Sequence, residues 1–193
     1  MKERERNKAE ECEKRPSHRE YSHAHEFLDN LPYVLMIGLG AIVLRMGLGE
    51  SPWAWGAATL YAAYGVAGAF WIILFVCPYC NHYGTRACPC GYGQIAAKLR
   101  PRRDAARFVE KFKKHIPVIV PLWVIPVAAG GAFLAREFSS ALLAALACFA
   151  VDAFVALPLV SKLYGCAHCP QIHECPWMQK AAEDGPRVPE GET

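Results

Sequence analysis

The sequence predicts an all-α integral membrane protein, a four-transmembrane-helix bundle built as two helical hairpins, with cytoplasmic cysteine-rich loops and a basic interfacial helix. Three observations predict it. First, four apolar stretches, residues 31–49, 53–76, 116–135 and 141–160, are 19–24 residues long, and a helix needs about 20 to cross the hydrocarbon core. Of 21 Lys and Arg and 18 Asp and Glu residues, only Arg45 and Asp152 fall inside them. The buried helices of a soluble protein would carry polar stripes at helical spacing, and the second and third stretches carry none. Second, the positive charge is one-sided. The N-terminal tail holds seven Lys and Arg, the loop 77–115 holds nine and the segment after the fourth stretch holds three, against Arg45 and Arg136 in the other two turns. By the positive-inside rule both termini and the central loop are cytoplasmic, in a multi-pass protein of the cell membrane. Third, the halves echo each other. Pro32 opens one pair of helices and CPYC closes it 45 residues on; Pro117 opens another and CAHC closes it after 49.

Taken in order, residues 1–28 form a charged cytosolic tail. It has no apolar core or cleavage site of a signal peptide, so the mature chain is expected to begin here. Its His18, His23 and His25 read as a solvated face, and Cys12 stands alone. Residues 29–76 are the first hairpin. Trp53 and Trp55 suit the outer interface, where Arg45 snorkels. The small pairs Ala58/Ala62, Ala63/Ala67 and Gly65/Ala69 are expected to let helices approach closely.

Residues 77–115 are a cysteine-rich loop followed by DAARFVEKFKKH. Phe108, Val109 and Phe112 share one helical face there and Arg107, Lys111, Lys113 and Lys114 the rest, as in a helix lying on anionic lipid. Membrane lipid is thus an expected partner. Nucleic acid is not, because the formal charge of +3 describes membrane asymmetry and the basic run is poor in aromatics for base stacking.

Residues 116–161 are the second hairpin. Pro121, Pro126 and Pro158 each remove a helical hydrogen bond, and the freed carbonyls must find protein or water. Asp152 is costly near mid-membrane, about 2.5–3.5 kcal/mol on insertion scales. Tyr64 lies at similar depth and is the expected hydrogen-bond partner; a proton-transfer role for the pair is the functional alternative. Residues 162–180 are the second cysteine segment, with Trp177 at the inner interface, and 181–193 a disordered tail.

Seven of nine cysteines lie in the two segments. Cys77, Cys80, Cys88 and Cys90 make C-x2-C-x7-C-x-C; Cys166, Cys169 and Cys175 make C-x2-C-x5-C, with His168 and His173 inside. In a reducing compartment such spacing points to metal or redox chemistry. CxxC turns two sulfurs toward one ion, and Gly84, Gly91 and Gly93 permit the turns that bring Cys88 and Cys90 round. Cys148 is expected to pack only.

CPYC resembles the turn of zinc-ribbon and rubredoxin knuckles, and four-thiolate zinc is the common closed structural site. Against zinc, Cys-Pro occurs at 77, 88, 169 and 175, and proline follows a ligand cysteine in the bacterial ferredoxin run. An iron–sulfur cluster is therefore preferred, with Zn2+ as the alternative. Either the first four thiols hold one centre and Cys166, Cys169, Cys175 and His173 another, or the segments share a site.

The arrangement resembles in kind the four-helix membrane subunits that pass electrons toward periplasmic nitrate and nitrous-oxide reductases, which also carry cytoplasmic Cys-Pro motifs. Their C-x3-C-P spacing is absent, so the resemblance carries over no residue. It implies electron transfer between a membrane quinone or partner oxidoreductase and the cytoplasm, within a redox complex. A zinc-stapled, non-enzymatic scaffold or assembly factor and soft-metal ion transport are the alternatives; transport would favour a cysteine pair within the membrane, where only Cys148 lies.

Overall fold

The computed structural model describes residues 21–165, and these contain helices and turns but no strand. The helices are α1 (His23–Gly47), α2 (Trp53–Phe75), α3 (Tyr92–Leu99), α4 (Phe108–His115), α5 (Pro121–Arg136), α6 (Ser140–Val151) and α7 (Leu157–Val160). Short 3-10 turns at Cys77–Tyr79, Ala105–Arg107 and Ile116–Val118 and π turns at Asp152–Ala156 and Ser161–Gly165 join or extend them. Four helical runs are long and apolar enough to cross a membrane: His23–Gly47, Trp53–Tyr79, Ala105–Arg136 and Ser140–Leu163.

Helix α1 starts well ahead of the apolar stretch. Ser22 caps it, its side chain accepting from the His25 N–H, so the first two turns project beyond the apolar run. α1 packs along α2, α5 and α6. Met36, Val43 and Leu44 of α1 meet Tyr61, Leu122, Leu142, Phe149 and Ala153 in the core. Close approach depends on glycine: a Cβ on Gly40 would lie 2.5 Å from the Tyr61 ring, and one on Gly65 2.6 Å from Ile37.

The buried face of α2 is Ala54, Ala58, Tyr61, Gly65 and Gly68. Ala63 and Ala67 point outward with Leu60 and Val66, so the expected Ala63/Ala67 packing pair is corrected. A helix that is apolar all round gives no sequence signal for which side is inward. Outward-facing Leu60, Val124, Val151 and Phe154 are apolar and exposed, which suits contact with lipid.

The expected third helix does not begin as regular α-helix at 116. The chain passes from α4 through a 3-10 turn, and α5 starts at Pro121, its first-turn proline. The fourth run is α-helical to Val151, then π-helical to Ala156. Pro32, expected to open the first helix, lies inside α1; in the third and fourth runs, three carbonyls freed by the breaks are satisfied by an aromatic side chain on another helix. Pro126 has no N–H for the Leu122 carbonyl, which accepts from the Tyr61 hydroxyl at 2.7 Å. In π register Pro158 would have paired with Ala153, whose carbonyl accepts from Trp123 Nε1 at 3.2 Å. The Leu122 N–H bonds Ile119, and the Val118 carbonyl it leaves accepts from the Tyr64 hydroxyl.

Candidate thiol centre at the end of the bundle

The first thiol loop leaves the end of α2 and folds back on itself. Cys77–Tyr79 forms a 3-10 turn in which the Cys80 N–H bonds the Cys77 carbonyl at 3.1 Å. The Gly84 N–H bonds the Gly93 carbonyl at 3.0 Å and closes the loop. Gly84 and Gly91 adopt φ of 74° and 73°, the left-handed region where glycine is favoured. Gly93 has another reason to be glycine: a Cβ there would collide with the His82 carbonyl.

Cys88 and Cys90 face each other with sulfurs 3.6 Å apart, and the Gly93 N–H points at Cys88 Sγ at 3.3 Å. Hydrogen bonding from Cys90, aided by the N–H groups of Gly93, Cys90 and Gly91, pulls the Cys88 thiol down to about 7 despite its burial. The same shared proton, then burial, holds Cys90 well above the ordinary thiol range, and the neighbouring Cys88 charge adds to the rise. Burial keeps His82 below the usual imidazole range. Burial, and after it Cys90, Tyr33, Cys77 and Asp29, raises Tyr92 at the start of α3.

The five described cysteines, Cys77, Cys80, Cys88, Cys90 and Cys148, form no disulfide. Of the first four, the structure brings Cys88 and Cys90 into contact; among the described residues no group of three or more His, Cys, Asp or Glu converges so as to hold one ion. Cys166, Cys169, Cys175 and His173 lie outside the described residues.

A clamp that the sequence pattern did not reveal holds this loop against α1. Asn30 Nδ2 donates to the Cys90 carbonyl at 3.0 Å and to the Glu26 carbonyl at 2.7 Å. The Glu26 carboxylate takes Gln94 Nε2 at 3.3 Å and pairs with His23 at 2.9 Å. The Tyr21 N–H bonds the Arg86 carbonyl. On the α1 side, Tyr21, His23 and Glu26 sit in what reads as a charged tail and Asn30 just past it, at the start of the first hairpin; the one available signal was Ser22, three residues ahead of His25, as a helix cap.

The remaining candidates are placed as follows. Asp152 does not meet Tyr64, whose hydroxyl is committed to Val118; its Oδ2 is buried without a hydrogen bond among the described residues. Arg107 and Lys111 bind Glu110, at 3.2 Å and 3.1 Å, whereas Lys113 and Lys114 are exposed. The basic face of α4 is thus partly spent on an internal network, while Phe108 is buried against Phe112. Arg45 reaches the Gly49 carbonyl at 2.5 Å and stacks over Trp55. Cys148 is exposed on the apolar surface. No family model, curated protein or solved structure matches the chain.

Proposed function

We propose that the chain is a multi-pass membrane metal-thiolate protein, two helical hairpins with both thiol segments at the cytoplasmic face, that carries electrons between a membrane quinone or partner oxidoreductase and the cytoplasm. One observation supports the metal above all. Two ligands of a tetrahedral ion at a metal–sulfur distance of about 2.3 Å lie about 3.8 Å apart, and Cys88 and Cys90 lie at 3.6 Å on a loop clamped beside the apolar bundle. Cys77 and Cys80, on one CxxC turn at the end of α2, supply the further sulfur donors. Ligand loops commonly complete their fold on the ion, so binding and loop order are one process.

The recurrent Cys-Pro steps favour an iron–sulfur cluster. The same sulfur spacing fits zinc, and a zinc-stapled scaffold is the second reading. Lys and Arg asymmetry supports the cytoplasmic placement. The test is anaerobic purification of the full chain, followed by iron, zinc and acid-labile sulfide analysis and EPR after reduction. Iron with matching sulfide and a reducible signal is the expected result. Zinc without iron would refute electron transfer and leave the scaffold.

A further inference from the structure

Cys88 and Cys90 touch sulfur to sulfur at 3.6 Å, and among the described residues no third His, Cys, Asp or Glu converges with them to hold one ion. The local chain builds this contact. The Gly91 N–H bonds the Cys88 carbonyl at 3.1 Å, so Cys88, Pro89, Cys90 and Gly91 form a tight turn that brings the two thiols together. Gly91, at φ of 73°, lets the turn close. The backbone around it is held by Asn30 on the Cys90 carbonyl and by the Gly84–Gly93 bond. The sulfurs of a disulfide are about 2.05 Å apart, so an approach of about 1.5 Å separates this contact from a covalent bond. Side-chain rotation supplies that much while the backbone stays in place.

The pair also has an approach from solvent. Cys88 is buried, whereas Cys90 forms part of the wall of an open cleft of about 370 Å³ between α1 and α3. Small-molecule sites measure about 300–1,000 Å³, so the cleft suits a small molecule and is too small for a folded protein. Its wall includes Glu26, Phe27, Asn30, Gln94 and Lys98. Lys98 is exposed and offers a cation to a carboxylate, and the polar side chains beside it suit the amide groups of a short peptide.

We infer that Cys88 and Cys90 are a reversible dithiol–disulfide pair that exchanges with a small peptide disulfide entering this cleft. Cys90, on the cleft wall, attacks one sulfur of the incoming disulfide and gives up its proton. A mixed disulfide forms and the first peptide thiol leaves with a proton. The Cys88 sulfur, losing its own proton, then attacks the Cys90 sulfur and displaces the second peptide thiol. The pair loses two hydrogens with their electrons, and the peptide disulfide takes them up to become two thiols. Excess peptide thiol reverses both steps, which suits a reducing compartment, where disulfides are transient and catalytic or redox-sensing. The exchange goes beyond electron transfer through a metal centre and does not rest on it. An ion at this place needs the same two sulfurs, so the bond closes when no ion is held there.

The test equilibrates the full chain in micelles, as purified and after chelation, with reduced and oxidised glutathione in a series of ratios. Samples are alkylated, digested and mapped by mass spectrometry. After chelation, alkylation at Cys88 and Cys90 should be lost together as the oxidised fraction rises, with the peptide 87–98 lighter by two hydrogens, and should return in excess reduced glutathione. In Cys88→Ser, glutathione should stay on Cys90. Three results would each overturn the exchange: both thiols alkylated throughout in both preparations, either one bonded to a different cysteine, or glutathione held by Cys88 in Cys90→Ser as readily as by Cys90 in Cys88→Ser. Iron and zinc analysis of the purified protein separates the two ideas. The disulfide in a chain that purifies without metal keeps the exchange and removes the metal centre, and bound metal without the disulfide does the reverse.

Discussion

Substituting Tyr61 by Phe tests how the broken helices are held. Tyr61 is buried at 4% exposure, and its hydroxyl donates to the carbonyl of Leu122, itself fully buried. Phe keeps the ring in the core and removes only the donor. Orphaning a buried carbonyl costs about 1–3 kcal/mol in soluble proteins, while hydrogen bonds between membrane helices average about 0.6 and reach about 1.7 kcal/mol. The expected loss is about 1–1.5 kcal/mol, toward the upper end of the membrane range because Pro126 leaves that carbonyl without its helical partner. Pro126→Ala restores an N–H four residues after Leu122. In that background Tyr61→Phe should cost about 0.5 kcal/mol or less, giving a coupling near 1 kcal/mol. The four proteins of this cycle are compared by reversible unfolding in mixed micelles, read by circular dichroism. If Tyr61→Phe costs the same in both backgrounds to within about 0.3 kcal/mol, the hydroxyl is not replacing the bond that proline removes.

The other predictions concern the loop and the packing faces. Asn30→Ala removes the donor to the Cys90 carbonyl and should weaken metal retention by about 10–100-fold, as losses around ligand residues do; chelator competition measures it, and unchanged retention would refute the clamp. Gly91→Ala forces an alanine to φ of 73° with its Cβ 3.3 Å from the Glu26 carboxylate. It should destabilise the loop by about 1 kcal/mol, seen as faster amide exchange over 84–94, while Gly131→Ala, with open space around it, should leave exchange unchanged. Ala58→Leu overpacks the buried face of α2 and should cost about 1–3 kcal/mol. Ala63→Leu, facing outward, should stay within about 0.5 kcal/mol; equal costs in the unfolding assay would mean the faces are misassigned.

The four runs were legible because charge avoids hydrocarbon: Arg45 and Asp152 are rare intrusions, and hydropathy needs nothing more. Their ends were not. α1 begins at His23 because of a serine cap and contacts to the thiol loop, neither of which is apolar. The prolines announced irregularity, but not that Pro158 would sit after a π turn or that Trp123 would serve it. Asp152 and Tyr64 were matched by depth, and depth says nothing about azimuth; Tyr64 turns to Val118 instead. In the loop, cysteine spacing signalled the thiols and glycine their turns, and Gly84 and Gly91 do adopt positive φ. The clamp of Glu26, Asn30 and Gln94 joins residues 60 and 68 positions apart and leaves no local pattern.

These aromatic donors also bear on the two thiol segments. Lipid tails are as apolar as the helices, so burial alone does not fix how one helix sits against another along the bundle. Directional bonds do. Tyr61 and Tyr64, on the helix that runs into Cys77, hold the carbonyls of Leu122 and Val118 in and just before α5. Trp123 of α5 holds Ala153, on the run that ends at Gly165. The helix leading into the first thiol segment is thereby pinned to α5, and α5 to the helix leading into the second. If both segments serve one centre, Tyr61→Phe combined with Trp123→Phe should lower its occupancy beyond either change alone, although neither residue approaches a sulfur. Purely additive losses in metal content would mean that the helices are set by packing and that these bonds only satisfy their carbonyls.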